Sequence, residues 1–181
     1  MKAMTFTETS PERGDLLIDD DAWALEPKYD GVRCMVSIED GRVELHNRNG
    51  APLSAASTNA HRSSIAASFF GVNGTWEFDG ELLEDGTLIG FDLPHFSILG
   101  VLPQASRPFT ERRMLLESVA EIRGWGDPHT NVRLATHVTG SDKRFLFNTI
   151  AETGGEGVML KRLDAPYESR RTKGAGFKVK F

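Results

Sequence analysis

The stretch Glu26-Pro27-Lys28-Tyr29-Asp30-Gly31-Val32-Arg33 decides how the rest of the chain is interpreted. Its Asp-Gly pair favours the tight turn that joins two strands. We therefore expect Lys28 at the end of one strand and Arg33 just inside the next, on the same side of the turn. A lysine amine becomes a nucleophile when burial or nearby cations lower its pKa, and arginine presents a planar fork to phosphate oxygens. The stretch fits a phosphate-binding site, although taken alone it also fits a surface hairpin with two solvated charges.

The composition is that of an ordinary globular protein. The chain has 181 residues, of which 39% are hydrophobic and 26% charged, so it can bury a substantial core. We expect a single domain, 1–181. No apolar run reaches membrane-spanning length and no secretory apolar region follows Met1, which predicts a cytoplasmic protein without a membrane partner. The single cysteine, Cys34, excludes an intrachain disulfide and is expected in the core.

The charge is unevenly distributed along the chain. The net charge of −5 argues mildly against a general nucleic-acid-binding protein. However, residues 161–181 contain seven basic and two acidic side chains. This segment is either an ordinary solvated surface or a surface that faces phosphates, where lysine and arginine replace counterions.

Apolar periodicity and turn residues predict hairpins interleaved with helices. The predicted strands are 23–27, 34–38, 43–46, 75–83, 87–92, 132–138, 157–162 and 176–181. The predicted helices are 55–70, 110–122 and 141–153. The helix residues expected to face the core are Met114, Leu115, Val119, Ile122, Phe145 and Ile150. Residues 1–21 are expected to be an irregular leading segment, and Leu93-Pro94 to end a strand. This order indicates an α+β domain with antiparallel sheets.

Five polar clusters are predicted at strand ends or turns. They are Glu26/Lys28/Arg33, Arg48, Asp79/Glu81, Glu156/Lys161 and Lys178/Lys180. Two lysines at positions i and i+2 of a strand share one face and repel unless an anion lies between them. Carboxylates such as these are the groups that Mg²⁺ takes together with water and phosphate oxygens. The set suits attack by an amine on the α-phosphorus of a nucleoside triphosphate, but no Walker loop is present.

In this order the clusters resemble the motifs of the covalent nucleotidyltransferase superfamily, most closely those of the ATP-dependent DNA ligases. The resemblance runs from about Trp23 to the last residue. The matching segments are 26–33, 47–50, 79–81, 90–93, 156–161 and 178–180. The family fold that this implies has two antiparallel sheets flanked by helices, an ATP-grasp-like adenylation domain with the nucleotide in the cleft between the sheets.

The resemblance also implies a role for each matched residue. Lys28 would attack ATP to form lysyl-AMP, AMP would pass to the 5′-phosphate of a DNA nick, and the 3′-hydroxyl would displace it. The implied catalytic residues are Lys28, Arg33, Lys178 and Lys180. The implied nucleotide-binding residues are Glu26, Lys28, Arg33, Arg48, Glu81, Phe91, Val158, Met159, Lys161, Lys178 and Lys180.

Within that set, Glu26 would read the adenine edge and Phe91 would stack on the base, with Val158 or Met159 as the opposite wall. Glu81 and Glu156 would bind Mg²⁺ or Mn²⁺. The implied partner is nicked double-stranded DNA in repair, replication or recombination, and the implied source is a phage or a bacterium. We expect a monomer.

The sequence departs from the family pattern in two places. Family ligases continue beyond the position of Lys180 into an OB-fold domain. We expect neither that domain nor an N-terminal DNA-binding domain here. Three interpretations fit this expectation: an excised catalytic domain, a minimal phage-type protein, or half of a two-part enzyme whose OB-fold domain or subunit is supplied separately. Gly176 stands where many relatives place an aromatic residue. Two alternatives therefore stay open: an RNA ligase or mRNA-capping-type nucleotidyltransferase, and a non-catalytic module that binds ATP or a nick and depends on a partner domain.

Overall fold

The computed structural model describes residues 2–54, 61–97 and 104–181, whose strands form two sheets. The strands are β1 Thr7–Glu8, β2 Trp23–Pro27, β3 Val32–Glu39, β4 Arg42–His46, β5 Thr75–Leu82, β6 Leu88–Ser97, β7 Val132–Leu134, β8 Gly157–Arg162 and β9 Gly176–Lys180. The helices of the described ranges are α1 Pro11–Ile18, α2 Arg62–Ser68, α3 Phe109–Arg123 and α4 Asp142–Glu152. The prediction of an α+β fold with two sheets is confirmed.

The two sheets have the strand orders β1-β9-β8-β2 and β4-β3-β5-β6-β7. Most neighbouring strands are antiparallel, as predicted, but β1 pairs with β9 and β6 with β7 in parallel. Both parallel pairs join a short edge strand to its sheet, and short edge strands carry little periodic signal. No helix in the described ranges is long and apolar enough to cross a lipid bilayer.

The Asp30-Gly31 turn connects the two sheets and does not close a hairpin. The strand before it, β2, belongs to the four-stranded sheet, and the strand after it, β3, belongs to the five-stranded sheet. A Cβ atom on Gly31 would lie 2.5 Å from the carbonyl oxygen of Leu82. The connection therefore passes directly against the end of β5, at a distance that only glycine permits.

Each sheet has its own apolar core on the face away from the other sheet. The core of the five-stranded sheet includes Phe78 of β5 and Leu116 of α3. The core of the four-stranded sheet includes Leu25 of β2 and Leu160 of β8, with α1 and α4 packed against it. Because side chains alternate along a strand, the residues between these core positions face the space between the sheets.

Two helix faces differ from the apolar stripes that the sequence predicts. On α3, Met114 is 66% and Ile122 is 83% exposed, and on α4, Phe145 is 77% exposed. The predicted Val119 is buried, and Leu115 and Ile150 pack partly buried against the cores. The inward faces also hold charged side chains, Arg112 on α3 and Lys143 on α4, both fully buried. Arg112 pairs with a buried carboxylate and Lys143 donates to a backbone carbonyl, partners that hydrophobic periodicity does not reveal.

Several element boundaries also differ from the predictions. Strand β6 continues past Pro94 to Ser97, because a ladder partner is available on β5 there. The leading segment contains α1, which Ser10 caps by accepting from the Arg13 amide at 3.4 Å and which begins at a proline. The predicted helix 55–70 is seen from Arg62 onward, and residues 55–60 lie outside the described residues. In the predicted strand 132–138, only Val132–Leu134 is regular.

Candidate active site

A cleft of about 710 Å³ lies between the facing sides of the two sheets. This volume is within the range of small-molecule sites. Most of the site residues predicted from the sequence line it, namely Glu26, Lys28, Arg33, Arg48, Glu81, Phe91, Met159, Lys161 and Lys178. The fold thus brings residues from near both ends of the chain around one volume.

Three of the predicted site residues do not line the cleft. Val158 is fully buried in the core of the four-stranded sheet, because it alternates with Met159 along β8, and Met159 is the residue that faces the cleft. Lys180 is exposed at the end of β9, two residues beyond the cleft-lining Lys178. Glu156 lies just before β8 and reaches the site through an ion pair with Lys28.

The amine of Lys28 lies between carboxylates at the end of β2. The Lys28 backbone amide donates to the carbonyl of Gly157 at 2.9 Å, which fixes the residue to the start of β8. Its Nζ forms an ion pair with Glu156, and the two side chains are 20% and 33% exposed. Glu81 also interacts with Lys28 across the cleft. The ion pair with Glu156 holds the Lys28 amine at the cleft, where it can reach a ligand that enters.

Glu81 has an unusual protonation equilibrium for a carboxyl group. Burial raises the pKa of Glu81 to about 7, and the nearby Asp79 and Glu156 carboxylates add to the rise, while Arg33 and Lys28 oppose it. Arg33 and Glu81 are directly opposite each other in the β3–β5 ladder. Perturbed pKa values of this size concentrate at functional sites.

Arg33 is held by a buried network that joins both halves of the molecule. Its Nε and Nη2 donate to the two oxygens of Asp79 at 2.6 and 2.7 Å, and Nη2 also donates to the Met4 carbonyl at 3.0 Å. The hydroxyl of Tyr167 donates to Asp79 at 2.6 Å and accepts from the Met4 amide at 3.0 Å. Asp79 therefore positions Arg33, a role that the sequence left undecided. Tyr167 and Met4 were not predicted as site residues, because no local pattern marks them.

The aromatic ring of Phe91 lies between cationic side chains. The Arg33 guanidinium carbon is 4.6 Å and the Lys161 Nζ is 4.7 Å from its ring centroid. Lys161 also approaches the Phe91 carbonyl at 3.4 Å. Cation–π contacts of this kind stabilise both the ring and the cations, so Phe91 is a fixed wall of the cleft.

Glu26 forms the buried polar end of the cleft. It is 2% exposed and forms ion pairs with Lys161 at 2.6 Å and Arg113 at 3.6 Å, while His137 lies 3.3 Å away. Burial alone would raise the pKa of Glu26, but Lys161, the hydrogen bond with His137 and Arg113 together hold it below the ordinary value. The site thus presents an ionised carboxylate. Arg113 and His137 were missed because their pairing with Glu26 is purely tertiary.

The N-terminal segment also contributes to the site, which the sequence did not suggest. Met4, Thr5 and Phe6 line the cleft. A Cβ atom on Gly176 would lie 2.6 Å from the Phe6 ring. An aromatic side chain therefore covers Gly176, although it comes from the other end of the chain.

The two carboxylates near Lys28 suit a partial metal site. The described residues contain no group of three or more His, Cys, Asp or Glu side chains that could hold a metal ion. Glu81 and Glu156 provide two carboxylates that both interact with the Lys28 amine. Mg²⁺ commonly takes one or two carboxylates and completes its shell with water and substrate phosphates. The donor set therefore fits Mg²⁺ bound together with a phosphate ligand.

Comparison with known proteins finds a curated relative and solved structures that share the fold. None of the protein-family models searched matches the chain. The chain is 31% identical to the multifunctional non-homologous end joining protein LigD of Pseudomonas aeruginosa over an alignment of 184 positions. The alignment covers 90% of the chain and 20% of that protein. The chain thus spans about a fifth of the length of this curated relative.

Solved structures of DNA ligases share the fold. The ligase domain of M. tuberculosis LigD superposes with a TM-score of 0.71 at 23% identity, covering 99% of the chain and 59% of that structure. A mycobacterial DNA ligase D complexed with ATP and MES gives a TM-score of 0.70 at 23% identity, covering 99% and 60%. The chain therefore has the fold of the adenylation (nucleotidyltransferase) domain of ATP-dependent DNA ligases, the family that its ordered motifs resemble.

Proposed function

We propose that the chain is the catalytic domain of an ATP-dependent DNA ligase and that Lys28 is its adenylated nucleophile. The observation that carries this proposal is the half-buried Lys28 amine, which is paired with Glu156 inside a cleft of about 710 Å³. Arg33, Lys161 and Lys178 line the same cleft, so a triphosphate would meet several cations. The mycobacterial relative whose structure contains ATP supports ATP as the nucleotide.

In the first step, Nζ of Lys28 attacks the α-phosphorus of ATP. The Lys28 ammonium first loses a proton to become a neutral amine. A bond then forms between nitrogen and phosphorus, the bond to the pyrophosphate oxygen breaks, and the nitrogen loses a second proton. Glu156 is the carboxylate in direct contact with the amine and orients it, and both protons pass to solvent. Mg²⁺ held by Glu81 and Glu156 would supply charge neutralisation for the phosphate oxygens.

The later steps use the same cleft. A 5′-phosphate oxygen attacks the phosphorus of lysyl-AMP, the nitrogen–phosphorus bond breaks, and the amine is reprotonated. The adjacent 3′-hydroxyl then attacks the 5′-phosphorus and gives up its proton to solvent, while the bond from that phosphorus to the AMP oxygen breaks and AMP leaves. Arg33, held by Asp79, would keep its orientation through these changes. Preorganised cations of this kind stabilise the charge that develops on phosphoryl oxygens.

Nicked double-stranded DNA is the polynucleotide that we propose as substrate. Arg171 and Lys178, from the basic segment 161–181, line the cleft beside the site residues. DNA phosphates that enter the cleft would form ion pairs with these two side chains. The Pseudomonas aeruginosa relative is named for end joining, which favours DNA repair or recombination and DNA over RNA. We propose that residues 1–181 act as one adenylation domain and as a monomer.

Intact-protein mass spectrometry after incubation with Mg²⁺ and ATP tests the proposal. We expect a gain of one AMP in the wild-type chain and in Lys173→Ala, whose lysine is exposed outside the cleft, and no gain in Lys28→Ala. An equal gain in mass in Lys28→Ala would show that Lys28 is not the nucleophile. ATP binding without an adduct in the wild-type chain would favour a non-catalytic module.

Two further arms of the same experiment separate the alternatives. Replacing ATP by GTP tests the capping-type alternative, because a GMP adduct in place of AMP would identify it. Offering nicked duplexes with DNA or RNA at the nick tests the RNA-ligase alternative. Sealing that appears only after an OB-fold domain from a related ligase is added would assign the last steps to a two-part enzyme.

A further inference from the structure

We propose that Arg113 is a positioning residue that sets the preference of the cleft for adenine over guanine, by holding the carboxylate of Glu26 in place. This inference rests on the proposed function, because it requires a purine nucleotide in the cleft. It adds a determinant of base selectivity on α3, a helix whose described residues do not line the cleft.

Arg113 uses its three nitrogens in different ways. Its Nε donates to Glu117 at 2.7 Å, and its Nη2 donates to the carbonyl of Ala135 at 2.9 Å. Its Nη1 is buried, has no hydrogen-bond partner among the described residues, and lies 3.6 Å from Oε1 of Glu26. The side chain is 7% exposed. An otherwise unsatisfied buried guanidinium nitrogen facing a carboxylate is costly unless that carboxylate is its partner.

Both oxygens of Glu26 are restrained as a result. Oε2 is bound by Lys161 at 2.6 Å, while Oε1 faces the Nη1 of Arg113 and the Nδ1 of His137 at 3.3 Å. Removing Arg113 would leave Oε1 with His137 alone, and the carboxylate could turn toward Lys161. Lys161 at one oxygen and Arg113 with His137 at the other therefore fix the orientation of the Glu26 carboxylate together.

The fold explains why these residues meet at one end of the cleft. Arg113 lies on α3, which packs against the five-stranded sheet, whereas Glu26 lies on β2 of the four-stranded sheet. The segment that follows β7 bridges the two, since Val138 and Leu25 exchange backbone hydrogen bonds of 3.0 and 2.9 Å. The carbonyl of Ala135, which anchors Arg113, belongs to the same segment. Arg113 thus spans the junction of the two sheets behind Glu26.

Adenine and guanine differ in the exocyclic group that would meet the Glu26 carboxylate. An ionised carboxylate only accepts hydrogen bonds. The exocyclic amino group of adenine donates a hydrogen bond to such an oxygen, whereas the carbonyl at the same position of guanine is itself an acceptor and is repelled. A fixed acceptor therefore favours ATP, and a carboxylate free to rotate or to become protonated discriminates less. Sites built to pair one polar group discriminate strongly against analogues that leave it unpaired.

The test is the ratio of affinities for the α,β-methylene analogues of ATP and GTP, which cannot release pyrophosphate. The wild-type chain is compared with Arg113→Met, Arg113→Lys and the matched control Glu117→Gln, which breaks only the outer ion pair of Arg113. We expect Arg113→Met to lower the ATP-to-GTP ratio by about tenfold, a loss typical of one charged hydrogen bond. Arg113→Lys should recover part of the preference, and Glu117→Gln should retain it.

A double-mutant comparison separates positioning from a general structural effect. In a Glu26→Gln background, Arg113→Met should leave the ratio unchanged, because its target is gone. If Arg113→Met weakens both analogues equally, or lowers the ratio as much in the Glu26→Gln background, the inference is wrong. A wild-type chain that binds both analogues equally would also overturn it, even if Lys28 is adenylated, whereas a wild-type chain without an adduct contradicts only the proposed function.

Discussion

Replacing Tyr167 by phenylalanine isolates the contact that ties the N-terminal segment to the active-site arginine. The change removes one hydroxyl group, which donates to Asp79 at 2.6 Å and accepts from the Met4 amide at 3.0 Å. The ring, which is 6% exposed, keeps its packing. Asp79 would still bind Arg33 through both oxygens, so the expected effect is a loss of orientation and stability, with the ion pair intact.

The magnitude follows from the two lost hydrogen bonds. A hydrogen bond to a charged group contributes about 1.5–3 kcal/mol, and a buried amide left without a partner costs about 1–3 kcal/mol. Removing the hydroxyl also relieves about 1–3 kcal/mol of desolvation cost for that group. The net loss in the free energy of unfolding is about 2 kcal/mol. For a chain of this size, that corresponds to a fall in Tm of roughly 4–8 °C.

Urea denaturation and thermal unfolding measure the loss, with Tyr29→Phe as the matched control. The Tyr29 hydroxyl accepts from the Thr136 amide at 3.1 Å in an exposed position, so its removal should cost less than about 1 kcal/mol. The rate of adenylation measured by mass spectrometry should fall in Tyr167→Phe more than in Tyr29→Phe, because Arg33 is held through Asp79.

A double-mutant cycle with Asp79→Asn decides whether the Tyr167–Asp79 bond is the cause. If the bond matters, Tyr167→Phe should cost clearly less in the Asp79→Asn background than in the wild-type background. Equal costs in both backgrounds, or a wild-type loss below about 0.5 kcal/mol on the scale of ordinary surface substitutions, would refute the reasoning.

Three further predictions concern the cleft. The pKa of Glu81 is raised to about 7, so its ionised form, which the proposed metal site requires, appears as the pH rises. The adenylation rate should therefore increase through about pH 7, and a pH profile of Glu81→Gln that keeps the same inflection would contradict this. Lys178 lines the cleft and Lys180 does not, so Lys178→Ala should raise the KM for ATP more than Lys180→Ala does in steady-state adenylation, and the reverse order would contradict the assignment. Gly31→Ala places a Cβ atom 2.5 Å from the Leu82 carbonyl oxygen and should destabilise the protein by about 1–3 kcal/mol in urea denaturation. An unchanged midpoint would show that the connection does not need glycine at this position.

Local sequence predicted most of the strands and many of the residues that line the cleft. The β8 strand occurs at the predicted residues, and the predicted hairpin at Asp40-Gly41 forms with positive φ angles of 47° and 82°. These features depend on near neighbours in the chain, namely alternation along a strand and the turn preferences of Asp-Gly pairs. The placement of the polar clusters at strand ends or turns was only partly right, because Asp79 lies inside β5 and Lys178 lies in the middle of β9.

Only the tertiary structure decided which residues hold the catalytic groups in place. Alternation predicts that Val158 and Met159 face opposite sides of β8, but it does not say which side is the cleft. Nor could the sequence show that Arg113 reaches Glu26, or that Tyr167 binds Asp79. These contacts cross from one sheet or helix to another, and their distances are set by how the two sheets pack. Local periodicity contains no information about that packing, so the sequence could propose cleft residues but not the side chains that hold them.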